Sequence, residues 1–103
     1  MDINKLENGR QLGITKEIFA ENEKIIYSYA IQKYNGIYYV FECEFSAAEK
    51  NFFDNCKEEI HRTDSFETVI SDFLPKYDIS IDEIGLLKGN NIFNVRFYVQ
   101  FPL

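Results

Sequence analysis

Asn35-Gly36 separates two β-prone runs, from Lys24 to Tyr34 and from Ile37 to Phe45, and this dipeptide constrains the fold more than any other feature of the chain. Both residues tolerate positive φ, as a two-residue type I′ turn requires, and such a turn sets the strand register as well as the reversal. With Tyr34 opposite Ile37, one face pairs Gln32 with Tyr39, Ala30 with Phe41, Ser28 with Cys43 and Ile26 with Phe45. Small residues there oppose large ones, so this face can accept a packed layer. The other face pairs Lys33 with Tyr38, Ile31 with Val40, Tyr29 with Glu42 and Tyr27 with Glu44. Two readings of this second face stand open. Either Tyr27, Tyr29, Tyr38, Glu42 and Glu44 form an exposed surface for a protein partner, or the N-terminal segment covers the face and the tyrosines are core with their hydroxyls at the rim, as amphipathic side chains often are.

The rest of the chain supplies further elements. Residues 1 to 13 read as a helical turn or an ordered arm. Ile14 to Ala20 reads as a first strand, with Glu21-Asn22-Glu23 turning into the strand from Lys24. Ser46-Ala47-Ala48-Glu49 has the pattern of a capping box, and Ala48, Phe52, Phe53, Cys56 and Ile60 follow at helical spacing, which predicts a helix over 47–59. A rival reading makes Lys57 to Thr63 a short edge strand. Asp64-Ser65-Phe66-Glu67 is a second capping box, opening a helix over 65–74 that Pro75 should stop. Ser80 precedes one helical turn at Ile81 to Ile84. Phe93, Val95, Phe97, Val99 and Phe101 alternate with Asn94, Arg96, Tyr98 and Gln100, which predicts a last strand. The expected fold class is therefore α+β: one domain over 1–103, with an antiparallel sheet of four or five strands and two helices packed on one face.

Length and composition narrow the function classes. A chain of 103 residues with 46% hydrophobic and 17% aromatic residues can bury a core without disulfide staples. Seventeen acidic against eleven basic residues leave a net charge of -6, which repels phosphate backbones and attracts cationic surfaces, so nucleic acid is not the expected partner. No apolar run approaches the roughly 18 residues of a membrane span, and the first residues lack the basic and apolar regions of a signal peptide. The two cysteines, Cys43 and Cys56, have no metal-ligand spacing and are expected as free thiols in a reducing, cytoplasmic setting.

No residue set forms a catalytic or cofactor motif. His61, the one histidine, could serve acid–base chemistry beside Asp64, but among Glu59, Arg62 and Asp64 it reads as a solvated polar residue near a helix end. The acidic pairs Glu21/Glu23, Glu58/Glu59 and Asp82/Glu83 lack the alternating spacing of a calcium loop and read as solvated faces, so no metal and no cofactor is expected. Gly85 and Gly89 belong to no phosphate-binding pattern and lead toward the expected last strand.

In build, this small, acidic, aromatic-rich α+β chain resembles the immunity proteins that bacteria pair with secreted toxins, including those of contact-dependent growth inhibition. Tyr27, Tyr29, Tyr38, Glu42 and Glu44 carry the resemblance as a candidate epitope. It implies a non-catalytic inhibitor in the cytoplasm that occludes the active site of a basic toxin domain, often a nuclease. Phage-encoded inhibitors of host defence nucleases share this logic and are the alternative, with a small enzyme using His61 as a further one.

Overall fold

Asn35 and Gly36 adopt φ of 51° and 81°, the paired left-handed conformation expected of the hairpin turn. The computed structural model describes residues 1–47, 57–87 and 89–100. Helix α1 (Ile3–Glu7) is capped by Asp2 and leads to strand β1 (Leu12–Ala20), which begins two positions before the expected Ile14. Strands β2 (Glu23–Tyr34) and β3 (Ile37–Ser46) form the long hairpin, and their pairs run from Tyr34 with Ile37 to Ile26 with Phe45 in the predicted register. Strand β4 (Lys57–Thr63) pairs with β3, so the edge-strand reading holds and the helix expected over 47–59 does not reach Lys57–Glu59. The remainder of that helix, residues 48–56, lies outside the described residues.

Helix α2 (Phe66–Asp72) starts where its capping signal sits, with Thr68 N–H donating to the Ser65 hydroxyl at 3.3 Å. Ser80 and Glu83 close a capping box around a 3-10 turn at Ile81–Glu83, and strand β5 (Gly85–Leu86) follows. Among the described residues the sheet has five antiparallel strands in the order β4-β3-β2-β1-β5. With α1, α2 and a third short helix, α3 (Val95–Gln100), the fold is α+β.

Helix α3 corrects the expected last strand. Alternation at Phe93, Val95, Phe97 and Val99 suits a strand, but Phe97 and Val99 are exposed while Phe93, Val95 and Tyr98 are buried. Val95 and Tyr98 share one helical face and pack on Ala30, Tyr39 and Phe41, with the Phe41 and Phe93 rings stacked 5.3 Å apart. Burial on that sheet face outweighs strand propensity, which is strongly dependent on context.

Both sheet faces are therefore covered. On the tyrosine face Leu6 of α1 and Val69 of α2, with Ile79 and Ile84, enclose Tyr27, Tyr29, Ile31, Tyr38 and Val40. On the opposite face α3 and Phe93 enclose Ala30 and Phe41. Helices on one face only were expected; α1 and α2 share a face and α3 takes the other. Cys43 is disulfide-bonded, which corrects the expectation of free thiols and removes that argument for a reducing compartment. Among the described residues no helix is long and apolar enough to cross a membrane.

Candidate functional site

The five residues expected to form a partner epitope are mostly core. Tyr27 and Tyr29 are 0% exposed, Tyr38 is 4% and Glu42 is 8%, and of the five Glu44 alone keeps partial access. The outward reading of this face is thus corrected in favour of the covered one. Each buried hydroxyl has found an internal partner, which removes the penalty for taking it out of water. Tyr29 Oη donates to the Phe73 carbonyl at 2.7 Å, and Tyr38 Oη donates to Glu7, which also accepts from Lys33 Nζ. Lys33 and Tyr38 together hold the Glu7 carboxyl below the usual range. Tyr27 Oη donates to Glu42 Oε1 at 2.5 Å and accepts from Lys76 N at 3.1 Å. Burial first, then the carboxylate of Glu42, pushes the Tyr27 and Tyr29 hydroxyls well above the ordinary phenol range.

An accessible acidic site lies at the end of this face, where the β1–β2 turn meets the last residues of β3. Glu21, Glu23, Ile25, Glu44, Phe45 and Tyr77 line a groove of about 380 Å³, with Lys57 also on its wall. Tyr77 Oη donates to Glu44 Oε2, and Lys76 Nζ stands 3.6 Å from Glu44 Oε1. The Tyr77 ring meets the Tyr27 ring edge-on at 5.3 Å. Its hydroxyl is pushed up to about 12, chiefly by the hydrogen bond to Glu44, then by burial and by the charges of Glu44 and Glu21. Carboxylates from two parts of the chain thus act on one atom.

Backbone conformation sets this groove apart. Glu21 and Tyr77 have φ of 53° and 63°, left-handed values that are uncommon for residues with a Cβ and a steric outlier for a bulky one such as tyrosine. Strain of this kind gathers where surrounding structure imposes a particular display. Sequence reasoning placed Glu21 and Glu23 in a solvated turn and did not single out Tyr77. The paired acids were visible, but the return of Tyr77 to the end of β3 needs the path of residues 73–79.

His61 does not face Asp64. Its Nε2 lies 3.6 Å from Glu42 Oε2 and 3.5 Å from Glu59 Oε2, and its ring stacks on Phe73 with centroids 4.5 Å apart. Among the described residues Asp64 is not within ion-pair distance of it. A larger groove runs along Asn91–Arg96 beside Gln32, and among the described residues Arg96 is the one ionisable side chain on its wall. Compared with known proteins, the chain matches no family model, no curated protein and no solved structure.

Proposed function

We propose that this chain is a non-catalytic acidic binding protein that neutralises a cationic bacterial toxin, of the nuclease class, by covering its active site. The observation that carries the reading is the groove lined by Glu21, Glu23 and Glu44, in which the Tyr77 hydroxyl donates to Glu44. Such a groove accepts a lysine or arginine side chain: carboxylates supply the charge, and Ile25, Phe45 and the tyrosine ring supply apolar and π surface for the side-chain stem. The net charge of -6 acts at longer range, raising the rate at which a basic surface arrives. Tyr27, Tyr29, Tyr38 and Glu42 then serve as scaffold, and of the residues expected from the sequence Glu44 belongs to the contact surface.

Calorimetric titration against a basic toxin domain, sought first among the genes that neighbour this one, tests the proposal. Replacing Glu21 and Glu23 together by lysine should weaken binding about 30-fold or more, the equivalent of about 2 kcal/mol, and should leave the melting temperature unchanged. The association rate of the parent should fall steeply between low and physiological salt. Full affinity in the double-lysine variant would refute the groove as the contact surface.

A further inference from the structure

Glu42, Glu59 and His61 each offer a donor atom, all within 4.8 Å of one another, and we propose that together they hold a divalent transition-metal cation of the zinc class. The sheet register assembles the group. Glu42 of β3 stands directly opposite Glu59 of β4, and His61 lies two residues further along β4, so all three side chains project from the tyrosine face. Two carboxylates opposed in this way repel each other. Among the described residues, His61 is the only group within ion-pair distance of either. A metal ion between the strands turns that repulsion into attraction.

The separations fit a ligand set better than a hydrogen-bonded one. His61 Nε2 stands 3.6 Å from Glu42 Oε2 and 3.5 Å from Glu59 Oε2. These values exceed the roughly 2.7–3.2 Å of a nitrogen–oxygen hydrogen bond. Donors bound at about 2.0–2.1 Å around a tetrahedral ion lie about 3.3 Å apart, so the two distances to His61 need a few tenths of an ångström of closure, while the two carboxylate oxygens, within 4.8 Å of each other, draw together around the ion. One imidazole with two carboxylates suits zinc and its first-row neighbours better than calcium or magnesium, which favour oxygen alone.

Two of the three ligands are already held in place. Glu42 is buried, and while Oε2 faces His61 its other oxygen, Oε1, accepts from Tyr27 Oη at 2.5 Å. The Lys76 amide fixes that hydroxyl in turn, at 3.1 Å. His61 is kept in plane by Phe73, the two rings inclined by 10°. Outer partners of this kind orient ligands and strengthen metal sites. Glu59 is exposed, so the fourth coordination position opens toward water or a donor from outside the chain.

Titration of tag-free, disulfide-intact protein with zinc chloride, by calorimetry and by thermal shift, tests the site. One zinc ion should bind per chain. Glu59→Gln, at an exposed position, and His61→Ala should each raise the dissociation constant at least about tenfold, and Tyr27→Phe should raise it about 10–100-fold with all three ligands kept. Failure of the parent to bind one equivalent overturns the proposal, as does undiminished zinc affinity in both Glu59→Gln and His61→Ala. Equal affinity for calcium and magnesium overturns the choice of metal class. The titration uses the chain alone and leaves Glu21 and Glu23 untouched, so its outcome is separable from toxin binding: zinc binding bears on this site only, and the preceding reading stands or falls on the toxin titration.

Discussion

Replacing Gln11 by alanine should unfasten residues 92–98 from the sheet. Gln11 is 5% exposed and makes four hydrogen bonds: Nε2 donates to Gln32 Oε1 at 2.9 Å and to the Phe93 carbonyl at 2.8 Å, and Oε1 accepts from Ile92 N at 2.8 Å and from Phe93 N at 3.3 Å. Both bonds to Phe93 are buried. Without the side chain, the amide and carbonyl of Phe93 lose their partners, and each orphaned buried group costs about 1–3 kcal/mol. Some water entry at Ile92 moderates the sum, which we place at about 2–4 kcal/mol. For a domain of this length that corresponds to a fall in melting temperature of roughly 8–30 °C. Urea unfolding gives the free energy, and hydrogen exchange at the Phe93 amide shows whether the loss is local. Gln11→Glu separates bonding from packing: the carboxylate keeps the shape and both acceptor bonds, yet confronts Gln32 Oε1 and the Phe93 carbonyl with no proton to donate. It should destabilise at neutral pH and recover in acid as the carboxyl gains a proton. A Gln11→Ala variant within about 0.5 kcal/mol of the parent would refute the reasoning.

Tyr29→Ala should cost about 3–5 kcal/mol in denaturant unfolding, and Tyr29→Phe, which loses only the bond to the Phe73 carbonyl, about 1 kcal/mol. A near-unchanged melting temperature in Tyr29→Ala would place this face outward after all. Gly13→Ala should destabilise by about 1–3 kcal/mol, because an added Cβ would lie 2.5 Å from the Tyr29 carbonyl oxygen and 3.0 Å from Ile92 Cδ1. Stability should decline in alkali: the Tyr77 hydroxyl titrates near 12 in the fold and about 10 in an unfolded chain, so the folded state keeps its proton longer and loses that advantage as pH rises from 10 to 12. Tyr77→Phe should make the decline shallower, read by urea unfolding at intervals between pH 8 and 12, with the buried Tyr27 and Tyr29 supplying the remainder.

Local chemistry was legible in the sequence wherever it acts over a few residues. The Asn35-Gly36 turn set the β2–β3 register from Tyr34 with Ile37 to Ile26 with Phe45, the signal at Asp64–Glu67 marked the start of α2 to within a residue, and Ser80 marked the turn at Ile81–Glu83. What alternation could not reveal is which face is covered when both are. Tyrosine is ambiguous in this respect: its ring buries well, and the partners of its hydroxyl, such as the Phe73 carbonyl or Lys76 N, come from remote segments. The last segment failed for a related reason. Its strand-like alternation carried no information about the Gln11 side chain that receives its backbone, or about the Ala30 surface that Val95 and Tyr98 fill. The candidate site was visible as scattered acids. Their convergence on Tyr77, and the alignment of Glu59 and His61 with Glu42, depend on the β3–β4 register and on the path of residues 73–79.

The order of the strands along the chain has a consequence for biosynthesis. β1, β2 and β3 are consecutive in sequence and adjacent in the sheet, so the meander can form as soon as Ser46 leaves the ribosome. Its tyrosine face waits for Val69, Ile79 and Ile84, the last of them about 40 residues later, an interval of about 2–8 s at ordinary elongation rates. Throughout that time Tyr27 and Tyr29 stand uncovered on a sheet whose β3 edge still lacks β4, and neighbouring nascent chains on the same messenger present the same surface. Slow codons between residues 47 and 84 would lengthen this exposure and lower the yield of folded protein, while leaving the stability of every molecule that completes the fold untouched.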